Sequence, residues 1–446
     1  MGMVSTDEPR YAAIGRAMAR SGDWITPRLW GKPWFEKPAL LYWMTATGFK
    51  LGLSVDLAPR LPVALLSVAF LAFFYWRLRQ LFEESMALCA TAMLATSAGW
   101  LAYSHIAVTD APLTVFFSAA VLFSLPPRSE EREPNRGSDR SAAAVALGLA
   151  VLAKGLPPLV LFAPILALDY RQWRRWFLSW PIFAFSIVAV PWYALCTLRN
   201  GRRFPYVFFI EHQFDRFRTD ALQHAQPWWF YAPVFLLLLF PWFPLLAIAF
   251  RHSKNDKRTR PFAAVVVFGL VFFSFSVNKL PGYVLPLLPA TCVLMAAALA
   301  RSRHPERWLI GPVALLGILP LAVSVVPDAV ARGLSHTSIA WNLGVIGITV
   351  AAAIGIAMAL WLRSRALTVA VLLAAGGFFL AEAEIFPALD KTASARALWS
   401  SSHPDCAPVL ARGVLYSLYY YSDKELPDCA IVDKKAVQNN AGPTKH

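Results

Sequence analysis

Two acid–base motifs stand near the start of the chain, Asp7-Glu8-Pro9-Arg10-Tyr11 and Phe35-Glu36-Lys37-Pro38. Further ionisable residues are set against apolar sequence: Asp110 after Thr109, Lys154 before Gly155, and Lys279 with Tyr283 around Pro281-Gly282. A polar stretch adds Glu211, His212, Asp215, Arg216 and His224. Carboxylates can take a proton from a hydroxyl, and Lys or Arg can neutralise a departing phosphate. Most of these residues also have a plainer reading. Asp7, Glu8 and Asp110 sit where helix N-termini favour acids. Lys37 and Lys279 can snorkel to lipid headgroups. Glu211, His212 and His224 match no tight metal-ligand spacing and read as a solvated loop, so neither a metal nor a cofactor is expected. Lys154 fits the plain reading least. A charge deep in an apolar run costs about 2.5–3.5 kcal/mol on insertion scales and needs an anion, either Asp110 or a ligand phosphate.

The elements that position these residues follow from composition. The chain has 446 residues, 57% hydrophobic and 15% charged, with a mean hydropathy of +0.48. An ordinary globular domain carries about 25% charged residues. A soluble enzyme and a disordered chain are therefore excluded, and the class is an all-α polytopic membrane protein. Apolar runs of spanning length fall at roughly 57–76, 85–105, 108–126, 142–168, 176–198, 228–250, 261–277, 282–300, 308–327, 339–362 and 366–386. The net charge of +15 could suggest nucleic acid, but the basic residues gather in short connectors: Arg77/Arg79, Arg128–Arg140, Arg171–Arg175, Arg251–Arg260, Arg301/Arg303 and Arg363/Arg365. That is the positive-inside pattern, so these connectors are expected in the cytoplasm and no nucleic acid as partner.

Both flanks of 142–168 are basic, so a single crossing there breaks the pattern. Lys154-Gly155 followed by Pro157-Pro158 predicts two short helices meeting at a break toward the outer face. The same bookkeeping divides the chain into three parts. Residues 1–56 form an outer loop with amphipathic juxtamembrane helices at 8–20 and 38–53, serving either lipid headgroups or an anionic substrate. Residues 57–386 form a bundle of about 12 helices. Residues 387–446 form a small outer C-terminal domain with a Tyr-rich patch, in which Cys406 and Cys429 can pair if the compartment is oxidising. No Cys-x-x-Cys pair or Gly-rich phosphate loop occurs.

Outer carboxylates beside outer cations suit glycosyl transfer from a lipid-linked phosphate. The quoted motifs resemble the first outer loop of the 4-amino-4-deoxy-L-arabinose transferases, within the dolichyl-phosphate-mannose-protein mannosyltransferase-like group of C-type glycosyltransferases. Gly22-Asp23-Trp24, Leu152-Ala153-Lys154-Gly155, Phe209-Ile210-Glu211-His212 through Arg216, Pro227-Trp228-Trp229 and Lys279-Leu280-Pro281 extend the likeness over most of 7–290. The resemblance implies a C-type helical bundle of about thirteen spans in a bacterial inner membrane, with its active site facing the periplasm. It implies inverting transfer of a sugar from a polyprenyl-phosphate donor to a lipid A-type, other glycolipid or protein acceptor, by a monomer. On it, Asp7 is the catalytic carboxylate and Asp110 its supporting acid. Arg10, Lys37, Lys154, Arg216, Lys279 and Tyr283 hold the donor phosphate, with Glu8, Tyr11, Glu36, Glu211 and His212 in support. One departure stands out: in the family a transmembrane helix precedes the Asp-Glu motif, whereas six residues precede Asp7 here. The expectation is a start at an internal Met, Met1 or Met3, with a helix missing ahead of it, the alternative being a truly shortened protein with an open groove in the bundle. The rivals are a polyprenyl-lipid transporter or flippase, with Asp110 and Lys154 as coupling charges, and a non-catalytic relative.

Overall fold

The computed structural model describes residues 1–128, 137–215, 226–250, 256–332, 354–355, 361 and 365–430. Helix α1, Asp7–Ser21, opens with two acids in its first turn and stops at Gly22, whose φ of 71° turns its N–H onto the Met18 carbonyl at 3.0 Å. A minimal antiparallel hairpin, Arg28–Leu29 with Lys32–Pro33, leads to α2, Leu40–Lys50. These two helices match the pair expected in the first loop. They pack on each other through Tyr11, Ile14, Met18 and Tyr42.

Helix α3, Leu57–Leu81, runs from this end of the molecule to the other. The expected span at 85–105 is bent by 61° into α4, Glu84–Ala95, and α5, Ala98–Ser104. The cause is tertiary: Ala98 gives its N–H to Phe240 O at 2.9 Å instead of to its own helix, and Trp242 Nε1 donates to Thr96 Oγ1 at 3.0 Å. The 228–250 run is likewise bent, by 116°, around Pro241, which has no N–H to continue a helix.

Helix α6 is Asp110–Phe123, α7 is Gly137–Lys154 and α8 is Pro157–Leu168. The break expected inside 142–168 lies at Gly155, φ 87°. Arg140 near the start of α7 lies 3.7 Å from Asp169 just past the end of α8, so the two helices run antiparallel and return to one end. Nearby Arg77 pairs with Asp139 at 3.0 Å and donates to Leu125 O at 2.8 Å. Short α9, Trp173–Phe177, then leads to α10, Trp180–Asn200.

Among the described residues four helices are long and apolar enough to cross a membrane, or up to seven if each bent pair is one span. The segment Pro281–Ala300 is 89% buried over its apolar window and forms the centre of the bundle, whereas α3, α10 and Ala366–Thr392 are 22–33% buried and turn their apolar faces outward. Ala366–Thr392 runs past the expected domain boundary at 387. Beyond it, helices Arg396–Ser402 and Arg412–Ser422 are clasped by a Cys406–Cys429 disulfide and lie at the same end of the molecule as α1.

Candidate active site

Asp7 and Arg10 are three residues apart in the first turn of α1, so their side chains share one face. Arg10 is anchored by Nε to Thr6 O at 2.8 Å, pairs with Asp7 through Nη2, and reaches Glu36 Oε2 at 3.3 Å through Nη1. The other oxygen of Glu36 accepts from Lys37 Nζ at 3.0 Å. An alternating acid–base chain, Asp7–Arg10–Glu36–Lys37, thus joins α1 to the approach of α2. Burial works against the Arg10 charge, but Glu36 and Asp7 outweigh it and hold the guanidinium pKa above its usual value. Trp34 and Tyr416 place their rings 5.5 and 5.4 Å from the guanidinium carbon.

Tyr11 and Tyr42 meet edge to face at 5.9 Å beneath this chain. Their hydroxyls are buried and find no hydrogen-bond partner among the described residues. Burial first, then the Asp7 and Glu36 carboxylates, push both phenols well above the usual tyrosine value, so they stay neutral.

The second cluster gathers three separate segments. Asp110 begins α6, Lys154 ends α7, and their side chains form an ion pair. The Lys154 ammonium also sits 4.6 Å from the centroid of the Tyr283 ring. Gly282 lies against the Asp110 carboxylate so closely that a Cβ there would collide with it, and would come within 3.0 Å of the Tyr103 ring. Tyr103, near the end of α5, thus lies beside Gly282, no more than a side chain's width from Asp110. It also packs against both the bundle core and the α1–α2 core, and so links the two clusters.

Glu8 is fully buried and binds Arg60 of α3 at 2.7 Å through each oxygen, and it also accepts the N–H groups of Val4 and Ala107 at 3.0 Å. Lys279 spends its ammonium on the carbonyls of Ser276 and of Gln226, the latter at 2.9 Å, and burial lowers its pKa. Glu211 is exposed and His212 half-buried in the stretch Tyr206–Asp215. Arg216 and His224 lie outside the described residues.

The carboxylates differ in access. The Asp7 side chain is 30% exposed, against 14% for Asp110, 9% for Glu36 and none for Glu8. Asp7 is therefore the most open of these four carboxylates.

A family model described as dolichyl-phosphate-mannose-protein mannosyltransferase matches residues 36–195. The undecaprenyl phosphate-alpha-4-amino-4-deoxy-L-arabinose arabinosyl transferase of Pseudomonas aeruginosa (strain LESB58) is 32% identical over 314 residues, covering 67% of this chain and 56% of that protein. A Sodalis glossinidius (strain morsitans) protein of the same description, numbered 2, is 31% identical over 376 residues, covering 78% of this chain and 66% of its own length. The crystal structure of ArnT from Cupriavidus metallidurans bound to undecaprenyl phosphate superposes with a TM-score of 0.77 at 26% identity, covering 95% of this chain and 81% of that one. The chain belongs to the C-type glycosyltransferase family of the aminoarabinose and dolichyl-phosphate-mannose-dependent transferases. It spans 56% of the length of the first curated relatives it matches.

The matched stretch of this C-type family member begins at Glu36 and contains Lys37, Asp110 and Lys154, but not the α1 motif. Three acids, Asp7, Glu36 and Asp110, face three cations, Arg10, Lys37 and Lys154. Trp34, Arg60, Tyr103 and Tyr416 join these clusters without having stood out as candidates in the sequence, and Gly282, noted there only between Lys279 and Tyr283, packs on Asp110. Trp34 borders a quoted motif and Tyr416 belongs to the noted Tyr-rich patch, but nothing in the sequence placed either ring on Arg10.

Proposed function

We propose that the protein is an integral membrane glycosyltransferase. It moves a sugar from a polyprenyl-phosphate carrier to a lipid A-type, other glycolipid or protein acceptor at the periplasmic face of a bacterial inner membrane. The observation that carries this reading is that Asp7–Arg10–Glu36–Lys37 and Asp110–Lys154 lie at one end of the helix bundle, where Tyr103 packs against both the α1–α2 core and the bundle core beside Gly282. The printed names of the relatives and the undecaprenyl phosphate in the superposed crystal structure support the donor class.

In this reading Asp7 accepts the proton of the acceptor hydroxyl as its oxygen bonds to the anomeric carbon. The bond from that carbon to the carrier phosphate breaks with its electron pair going to the phosphate oxygen. Arg10, Lys37 and Lys154 stabilise the charge that develops there. A single displacement inverts the anomeric configuration. Arg77, Arg140 and the Arg171–Arg175 connector lie at the end opposite the site, which supports a cytoplasmic location for that end. The Cys406–Cys429 disulfide at the site end supports an oxidising compartment there.

The test is transfer by the purified full-length protein in liposomes carrying the polyprenyl-phosphate sugar and lipid A. The expected products are free polyprenyl phosphate and glycosylated acceptor, read by mass spectrometry. Donor that crosses the bilayer with its sugar still attached would mark a flippase instead.

A further inference from the structure

The C-terminal helix Arg412–Ser422 is fastened to the first loop at several points. Asp423 accepts from Arg16 at 2.7 Å, Tyr420 donates to Val55 O at 2.6 Å, and Tyr421 donates to Asp56 Oδ1 at 2.6 Å. This docking brings Tyr416 to 5.4 Å from the Arg10 guanidinium, while Trp34 provides a second ring at 5.5 Å. Tyr416 is itself fixed: Trp30 stacks on it at 5.9 Å with an interplanar angle of 16°, and Arg412 lies 5.6 Å from its centroid. Trp30 holds this stack from a backbone φ of 47°, a conformation bulky residues rarely adopt and one that persists where surrounding contacts impose it.

We propose that Tyr416 is a positioning residue of the active site. With Trp34 it holds the Arg10 guanidinium where that group bridges Asp7 and Glu36, so the C-terminal segment completes a site built otherwise from the first loop and the bundle. An Arg side chain has many rotamers, and two aromatic faces select among them by attracting the cation. Without Tyr416 the guanidinium can swing away, leaving Asp7 without its partner beside a second carboxylate. Cation–aromatic contacts of this kind correspond to between about two- and thirtyfold in an equilibrium constant.

The inference rests on the glycosyltransferase reading, and its test separates the two. Full-length Tyr416→Phe, Tyr416→Leu, Arg10→Ala and the Arg10→Ala/Tyr416→Leu double variant are assayed in liposomes for kcat and donor KM. Binding of undecaprenyl phosphate alone is measured alongside. Tyr416→Phe keeps the ring face and is expected to stay within about twofold of wild type. Tyr416→Leu is expected to lose about tenfold in kcat/KM, and to lose nothing further on the Arg10→Ala background. A loss from impaired folding would carry over to both backgrounds, so the cycle decides even if Tyr416→Leu lowers the thermal midpoint. Wild-type activity in Tyr416→Leu, or a loss that multiplies in full on Arg10→Ala, would overturn the inference. A wild-type protein that neither binds undecaprenyl phosphate nor transfers sugar would overturn the functional reading beneath it.

Discussion

Glu8 and Arg60 form a two-pronged ion pair, 2.7 Å at each contact, that fastens the first turn of α1 to α3. Glu8 is fully enclosed, and its two oxygens also take up the Val4 and Ala107 amides. Its neighbour Asp7 is partly open and bound to Arg10. Two consecutive acids therefore sit differently, one enclosed and fastening the first turn of α1 to α3, the other partly open beside Arg10. Glu8→Gln is expected to lower stability by about 3–5 kcal/mol, because Arg60 keeps a charge without its counter-ion. Thermal unfolding in detergent checks this, and an unchanged midpoint would contradict it.

The Asp110–Lys154 pair joins α6 to the tip of the α7–α8 hairpin. Lys154→Met alone should destabilise the protein by leaving Asp110 an uncompensated carboxylate, whereas Asp110→Asn/Lys154→Met should recover most of that loss. Activity should stay low in both, down about a hundredfold or more, because the cation offered to the phosphate is gone in each. Comparing melting with turnover checks the split. Activity restored by the double change would mean that the pair is purely structural.

Gly282 offers a test that removes no charge. A Cβ at this position collides with the Asp110 carboxylate and crowds Tyr103. Gly282→Ala is expected to displace Asp110 and cut transfer by about a hundredfold, the order expected when a site group moves by 1 Å. Turnover of Gly282→Ala at the wild-type rate would show that the placement of Asp110 is not critical.

Lys279 carries a pH signature. Burial lowers its folded-state pKa below the ordinary lysine value of 10.5, so the unfolded chain binds more protons between the two values. Stability therefore rises with pH across that window, up to about 10.5, as the buried ammonium is relieved. Lys279→Met should flatten this rise. Melting midpoints between pH 8 and about 10.5 check the slope, and a curve with the same slope in both proteins would contradict the assignment.

Much of the frame was legible in the sequence because its signals are local. Lys154 in an apolar run required an anion, and Asp110 supplies it. The Lys154-Gly155 break with its two basic flanks foretold the antiparallel α7–α8 pair, which Arg140 and Asp169 close at the far end. The division of roles between Asp7 and Glu8 was not legible, because both suit a helix N-terminus and only the position of Arg60 separates them. The bend at Thr96 and Ser97 was hidden for a similar reason. Gly99 just beyond it is a weak signal, and the cause of the bend is the Phe240 carbonyl far along the chain. Tyr416 reaches Arg10 only because the C-terminal helix folds back onto α1, a contact that no periodicity reports.

The most direct measurement is the turnover of Asp7→Asn in liposomes containing donor and lipid A, with undecaprenyl phosphate binding measured on the same preparation. The account predicts a folded protein that still binds the lipid phosphate but releases about a hundred- to ten-thousandfold less free polyprenyl phosphate than wild type, as befits loss of the base. Near-wild-type release by Asp7→Asn would contradict it.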